Sequence, residues 1–151
     1  MKRKRYLVFT ILWMAVIFYF SSESGDISSM NNLFAVRILE RIGFDSAFLR
    51  RMDINFWIRK AAHLTEYFIL GMLLYRTYET YLYGGYAASA SATGFLYALS
   101  DEFHQHFVSG RQPSFRDVLI DTSGVLLGVA LLAALCLAGM RRRCISSHRV
   151  S

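Results

Sequence analysis

The chain has 151 residues, of which 54% are hydrophobic and 19% charged, and its formal net charge is +6. That length suits one domain, and we treat residues 1–151 as a single membrane domain. The hydrophobic residues come in long blocks with the basic residues beside them, so the positive charge does not form a basic face on a soluble fold. A nucleic-acid-binding role is therefore disfavoured.

Four apolar blocks approach the roughly 17–25 residues that a helix needs to cross a bilayer. They are residues 6–22, 61–78, 82–100 and 118–140. The first block has the basic start of a cleaved signal peptide, but three more blocks follow it, which favours an uncleaved span. The sequence therefore predicts an all-α fold, a polytopic bundle of four transmembrane helices.

Basic residues stand directly against the first and last blocks. They are Lys2, Arg3, Lys4 and Arg5 at the start and Arg141, Arg142 and Arg143 at the end. Such clusters mark the cytoplasmic side of a membrane span, and an even number of spans puts both termini on one side. We expect a multi-pass protein of the cell membrane with cytoplasmic termini, and with residues 23–60 and 104–116 outside.

The first external loop, residues 23–60, is too apolar for a disordered linker. Within it, apolar residues recur at near-helical spacing over 33–42, and Gly43 follows as a plausible stop. A second apolar run, residues 48–57, is interrupted by two arginines. The pattern predicts short helices lying in the headgroup region. A small external cap packed on the bundle is the alternative.

The third and fourth blocks carry patterns of small residues. Residues 87–94 are all Ala, Ser, Thr or Gly, and Gly124 and Gly128 stand four positions apart in the fourth block. Small residues let helix backbones approach closely in lipid. We predict that blocks three and four pack on each other within the chain, while an oligomer through Gly124 and Gly128 stays possible.

Polar side chains gather at the outer ends of the four threaded helices. They are Ser21 and Ser22 after block one, Arg59, Lys60, His63, Glu66 and Tyr67 at the start of block two, Asp101, Glu102, His104, Gln105 and His106 after block three, Arg111 and Arg116 in the loop, and Asp117 and Asp121 at the start of block four. An ionisable group at mid-membrane costs about 2.5–3.5 kcal/mol on insertion scales. Such groups persist where they pair or line a wet cavity, so we expect one outward-facing polar cavity.

Asp101 and Glu102 are candidate catalytic groups together with His63, because adjacent carboxylates in a low dielectric push one pKa upward. Arg111 is the candidate partner for an anionic head group, and the apolar bundle would accept the tail. The other candidate ligand-binding residues are Gln105, Glu66, Tyr67, Asp117, Asp121, Ser21, Ser22 and Lys60. The spacing matches no known metal motif, so no metal ligand is assigned and the cofactor is unknown.

The order and spacing of several short motifs resemble the VanZ-like family of bacterial membrane proteins. The motifs are Ser21-Ser22, Lys60-x-x-His63-x-x-x-Tyr67-x-x-Leu70-Gly71 and Asp101-Glu102-x-x-Gln105-x-Phe107, followed by Arg111, Asp117, Gly124 and Gly128. One departure is Asp121, where the family often has asparagine. The resemblance implies a place in the cell envelope and a link to susceptibility to glycopeptide antibiotics such as teicoplanin. It implies no settled biochemical activity.

Three classes of function are open at this point. The first is a membrane protein that binds or modifies an amphiphilic, anionic ligand at the outer leaflet, such as a membrane lipid or a lipid-linked, lipopeptide or glycopeptide molecule. The second is a non-catalytic scaffold or assembly factor whose polar cluster locks the helices together. Ion- or proton-coupled transport is the third, and it is disfavoured because the inner half offers no matching polar path. Whether the protein is an enzyme stays open.

Overall fold

The structure, a computed structural model, describes residues 2–23, 36–51, 53–82, 84–111 and 114–147. These residues form helices joined by short connections, and no strand occurs among them. The helices are α1 (Lys2–Ser21), α2 (helical residues 36–41), α3 (Ser46–Arg51), α4 (Ile54–Tyr81), α5 (Tyr86–Gln105) and α6 (Phe115–Ser147). The predicted all-α class is confirmed.

The helices that contain blocks two and three begin and end at different residues from the apolar blocks themselves. α4 begins at Ile54, well before block two, because Asp53 takes a left-handed backbone with φ 44° and ends the preceding segment. The apolar run 48–57 is therefore not one helix but is divided between α3 and α4. α5 runs on to Gln105, so the polar residues after block three belong to its last turn. Hydropathy finds the apolar part of a helix and misses its polar turns.

Close contacts at glycine bring α4 and α6 together. A Cβ atom at Gly124 would lie 2.5 Å from the carbonyl oxygen of Leu64, and one at Gly128 would collide with the carbonyl oxygen of Phe68. These two glycines therefore contact block two, in α4. Blocks three and four also pack on each other, as predicted, because Gly94 of block three faces the side chain of Val125 in block four. Gly124 and Gly128 are buried in these contacts, so an oligomer would need another face.

α4 is the central helix and contacts α1, α5 and α6. Three polar contacts attach α1 to its neighbours. The hydroxyls of Thr10 and Thr77 are 2.9 Å apart, and the indole N–H of Trp13 donates to the Glu66 carbonyl at 2.9 Å. The Tyr97 hydroxyl donates to the carbonyl of Met14 at 2.6 Å. These polar groups are thus paired between helices, which lowers the cost of removing them from water.

Two of the described helices are long and apolar enough to cross a membrane. They are Lys4–Ser21 in α1 and Phe115–Gly139 in α6. Leucines on α6, among them Leu126, Leu127 and Leu135, are at least half exposed in the isolated chain. A contiguous exposed apolar surface of this kind marks contact with a membrane or a partner. The long apolar helices and this exposed surface indicate a membrane protein.

Candidate functional site

Polar side chains from four helices contact one another at one end of the bundle. The end of α1, the start of α4, the end of α5 and the start of α6 all contribute, as does the connection from α5 to α6. The candidate site is built from these pairwise contacts.

Two contacts join α4 to α6. The ammonium group of Lys60 pairs with the carboxylate of Asp117, and the two side chains are only 12% and 20% exposed. One turn deeper, Nδ1 of His63 lies 3.7 Å from Oδ1 of Asp121. Asp121 is 1% exposed, and neither of its oxygens has a hydrogen-bond partner in the described chain. Asp121 is therefore a buried carboxyl group whose nearest ionisable partner among the described residues is the His63 ring.

Asp101 faces inward from the last turns of α5. It is 3% exposed, and its Oδ2 accepts a hydrogen bond from the Gln105 amide at 3.2 Å. The hydroxyls of Ser21 and Tyr67 lie next to the same carboxylate, and Glu66 is close by. Asp101 thus links the end of α1 to α4 from inside the bundle.

Arg111 ties the connection after α5 to the end of α1. Its Nε donates to the Glu23 carbonyl and a terminal nitrogen donates to the Phe20 carbonyl, both at 3.2 Å. Cationic side chains favour the last carbonyls of a helix in this way. Burial and the nearby charge of Arg59 lower the pKa of Arg111, and a guanidinium with so high a pKa remains charged. Ser22 and His104 add a second link at 3.2 Å.

A polar pocket of about 180 Å³ opens between these elements. Its lining residues are Arg59, His63, Gln105, Gly110, Arg111 and Asp117. The sequence placed Arg59 among the polar residues at the outer end of block two but gave it no role in ligand binding. Arg59 makes no hydrogen bond or ion pair within the described part of the chain. Its position four residues before His63, on the same helical face, is the sequence signal that would have identified it.

A second cavity, the apolar groove, lies between α5 and α6 and measures about 740 Å³. Its lining residues are Leu96, Leu99, Ser100, Glu102, Phe103, His106, Ser114, Phe115 and Val118. Oε1 of Glu102 accepts a hydrogen bond from the backbone N–H of Ser114, and Oε2 has no partner among the described residues. Burial raises the pKa of Glu102, which lies beyond the predicted span, while the Ser114 N–H favours its ionised form.

The sequence predicted a single cavity, and the described residues line at least two. His63, Gln105, Arg111 and Asp117 line the polar pocket, whereas Glu102 lines the apolar groove. The other predicted residues contribute to the polar contacts around them: Lys60, Glu66, Tyr67, Asp101, Asp121, Ser21 and Ser22. No three His, Cys, Asp or Glu side chains in the described residues are placed to hold a metal ion.

The profile of the VanZ/LLP1 family matches residues 6–137. The chain belongs to this family. The match covers both cavities and confirms the resemblance drawn from the short motifs. Searches of curated proteins and of solved structures find no match to the chain.

Proposed function

We propose that this VanZ/LLP1 family member binds the anionic head group of an amphiphile in its polar pocket, at the outer leaflet of the cell membrane. The observation that carries the proposal is the pair of guanidinium groups, Arg59 and Arg111, on the wall of one small polar pocket. Guanidinium groups match carboxylate and phosphate oxygens in geometry and charge. Arg59 is available for this role because no described residue occupies its donors.

The pocket's size favours a head group over a complete ligand. At about 180 Å³ it is smaller than the roughly 300–1,000 Å³ of pockets that enclose a drug-sized molecule. Any larger ligand therefore leaves most of its surface outside. In a membrane, the part of the ligand outside the pocket is best accommodated if it is an apolar tail in the lipid. A molecule with such a tail and a polar head group is an amphiphile.

The proposal includes a four-span arrangement with both termini in the cytoplasm. α4 and α5 are less apolar than α1 and α6, but their ionisable groups near the pocket face other helices rather than lipid, which lowers the cost of burying them. The family resemblance supports an effect on teicoplanin susceptibility, through a lipid-linked, lipopeptide or glycopeptide ligand in the cell envelope. If the ligand is also modified, His63 is the candidate group that lines the pocket, while Asp101 lies beneath it.

Cysteine labelling tests the topology in a variant whose two native cysteines, Cys136 and Cys144, are changed to alanine. In intact cells a membrane-impermeant maleimide is expected to label Ser109→Cys, because the connection after α5 lies outside. It should label Leu82→Cys only after permeabilisation, because the connection from α4 to α5 faces the cytoplasm. Labelling of Leu82→Cys in intact cells would refute this topology.

Binding of short-chain lipids tests the head-group site on purified protein. We expect dioctanoyl phosphatidic acid to bind and dioctanoylglycerol, which lacks the phosphate, not to bind. Arg59→Gln should weaken binding at least about tenfold, which is about 1.4 kcal/mol, because it removes a charged donor without breaking a described contact. Arg116→Gln is the matched control, because Arg116 is exposed and lies outside the pocket. Equal effects of the two changes would contradict the proposal.

A scaffold role is the second candidate, and the Lys60–Asp117 pair and the Arg111 contacts with α1 favour it. These contacts hold helix ends together whether or not a ligand is present. The two functions differ at Arg59, because a scaffold does not use a side chain without a partner. A scaffold therefore predicts that Arg59→Gln leaves lipid binding and antibiotic susceptibility unchanged.

A further inference from the structure

We propose that the apolar groove between α5 and α6 holds a single acyl chain of the same amphiphile, and that Glu102 accepts a hydrogen bond from a hydroxyl or amide at the head of that chain. The inference rests on the proposed function, because it takes the polar pocket as the head-group site. It adds the chemical class of the ligand: an anionic, single-chain lipid with a hydrogen-bond donor next to its chain.

The groove and the pocket are formed by the same helix ends. On the last turn of α5, Glu102 lines the groove and Gln105 lines the pocket. On the first turn of α6, Val118 lines the groove and its neighbour Asp117 lines the pocket. A head group in the pocket therefore places the first atoms of its chain beside the groove.

Any groove in a bilayer is filled by lipid chains, so selectivity requires a polar group. Among the described residues, Glu102 is the one carboxylate on the groove wall, and it is 6% exposed. Ser114 occupies only its Oε1, which leaves Oε2 without a partner among the residues that the structure describes. Burying a hydrogen-bond acceptor without a partner costs free energy, and a hydrogen-bond donor on the ligand would remove that cost. An acceptor of this kind selects lipids that bring an O–H or N–H.

Photo-crosslinking tests the position of the chain on the unaltered protein in phosphatidylcholine nanodiscs. The probe is 1-oleoyl lysophosphatidic acid with a diazirine in its chain, and its neutral counterpart is the equivalent monoacylglycerol. We expect the acidic probe to label residues 96–103 and 115–118 several-fold more than the neutral one. Equal labelling by the two probes, or labelling mainly on the exposed face of α1, would overturn the proposal.

Affinities separate this inference from the proposed function. Leu99→Trp, which fills the groove, should weaken binding of lysophosphatidic acid about tenfold and leave glycerol 3-phosphate binding unchanged. Leu12→Trp, on the exposed surface of α1, is the matched control and should change neither. If Arg59→Gln weakens lysophosphatidic acid binding but Leu99→Trp does not, the acyl-chain site in the groove is rejected and the head-group pocket stands. If Arg59→Gln leaves binding unchanged, both the pocket and the groove are rejected.

The last comparison isolates Glu102. The unaltered protein should prefer lysophosphatidic acid with its free 2-hydroxyl to the 2-methoxy analogue by about fivefold or more. Glu102→Gln should abolish that preference, because its amide can donate to the ether oxygen while its carbonyl still accepts from Ser114. A preference that persists in Glu102→Gln would overturn the role of Glu102.

Discussion

Alanine at Gly128 is expected to destabilise the protein by about 1–3 kcal/mol, seen as a melting temperature several degrees lower. The added Cβ atom would collide with the carbonyl oxygen of Phe68, which belongs to the α4 backbone and cannot rotate away. α4 and α6 must therefore move apart. The direction of the change in stability is informative, because in an unconstrained helix alanine stabilises the helix relative to glycine by up to about 1 kcal/mol.

Gly139→Ala is the matched control on the same helix, because nothing lies within 4 Å of a Cβ atom at Gly139. Its melting temperature should stay the same or rise slightly. Thermal unfolding of both variants in the same detergent measures the difference. Equal melting temperatures for Gly128→Ala and Gly139→Ala would show that α4 and α6 do not meet at these glycines.

Loss of the proposed effect on teicoplanin susceptibility is expected when the charges around the two cavities are changed. Asp101→Asn, Glu102→Gln and Arg111→Ala should each abolish the effect while the amount of protein in the membrane stays nearly constant. The amide variants keep side-chain volume and most hydrogen bonds but remove the charge. Arg111→Lys should fail as well, because one ammonium cannot replace the planar fork that grips a phosphate or carboxylate through two hydrogen bonds.

The measurement is the minimal inhibitory concentration of teicoplanin for cells with each variant, together with the variant's abundance and melting temperature. If these side chains make purely structural contacts, each variant should lose about 1–3 kcal/mol of unfolding free energy and melt at a lower temperature. Its effect on susceptibility should then fall only in proportion to its abundance. That outcome in all four variants would favour the scaffold. Arg116→Ala is the control, because Arg116 is exposed and makes no side-chain contact with the site.

The sequence predicted the helices well because apolar blocks of sufficient length have few other solutions in a bilayer. The sequence also predicted correctly which helix ends lie together. Successive helices that run in opposite directions place the ends of α1 and α5 beside the starts of α4 and α6. The sequence could not choose neighbours around the bundle. The spacing of Gly124 and Gly128 identifies a contact face, but whether α4 or α5 meets that face depends on packing that the pattern does not encode.

The sequence also could not predict that the site residues line two separate cavities. Glu102 and Gln105 are three residues apart, so their directions differ by only about 60° around the helix. Spacing therefore predicted a shared cavity, while the rotation of α5 in the bundle directs Glu102 to the groove and Gln105 to the pocket. Arg59 was placed at the outer end of block two, but its role in the pocket was not predicted. It precedes the apolar block, so its position on the face of α4 was not apparent from hydropathy.

The contacts of α1 have a consequence for biosynthesis. Its hydrogen-bond partners on α4 and α5 lie 53 to 83 positions later in the chain, and the Arg111 contact spans 91. In the proposed topology, α1 therefore reaches the bilayer before these partners do. It must be stable there as a solitary helix, which explains why apolar side chains surround it. α4 and α5 are synthesised later, when companion helices are present or imminent, so they can carry the charges that the site requires.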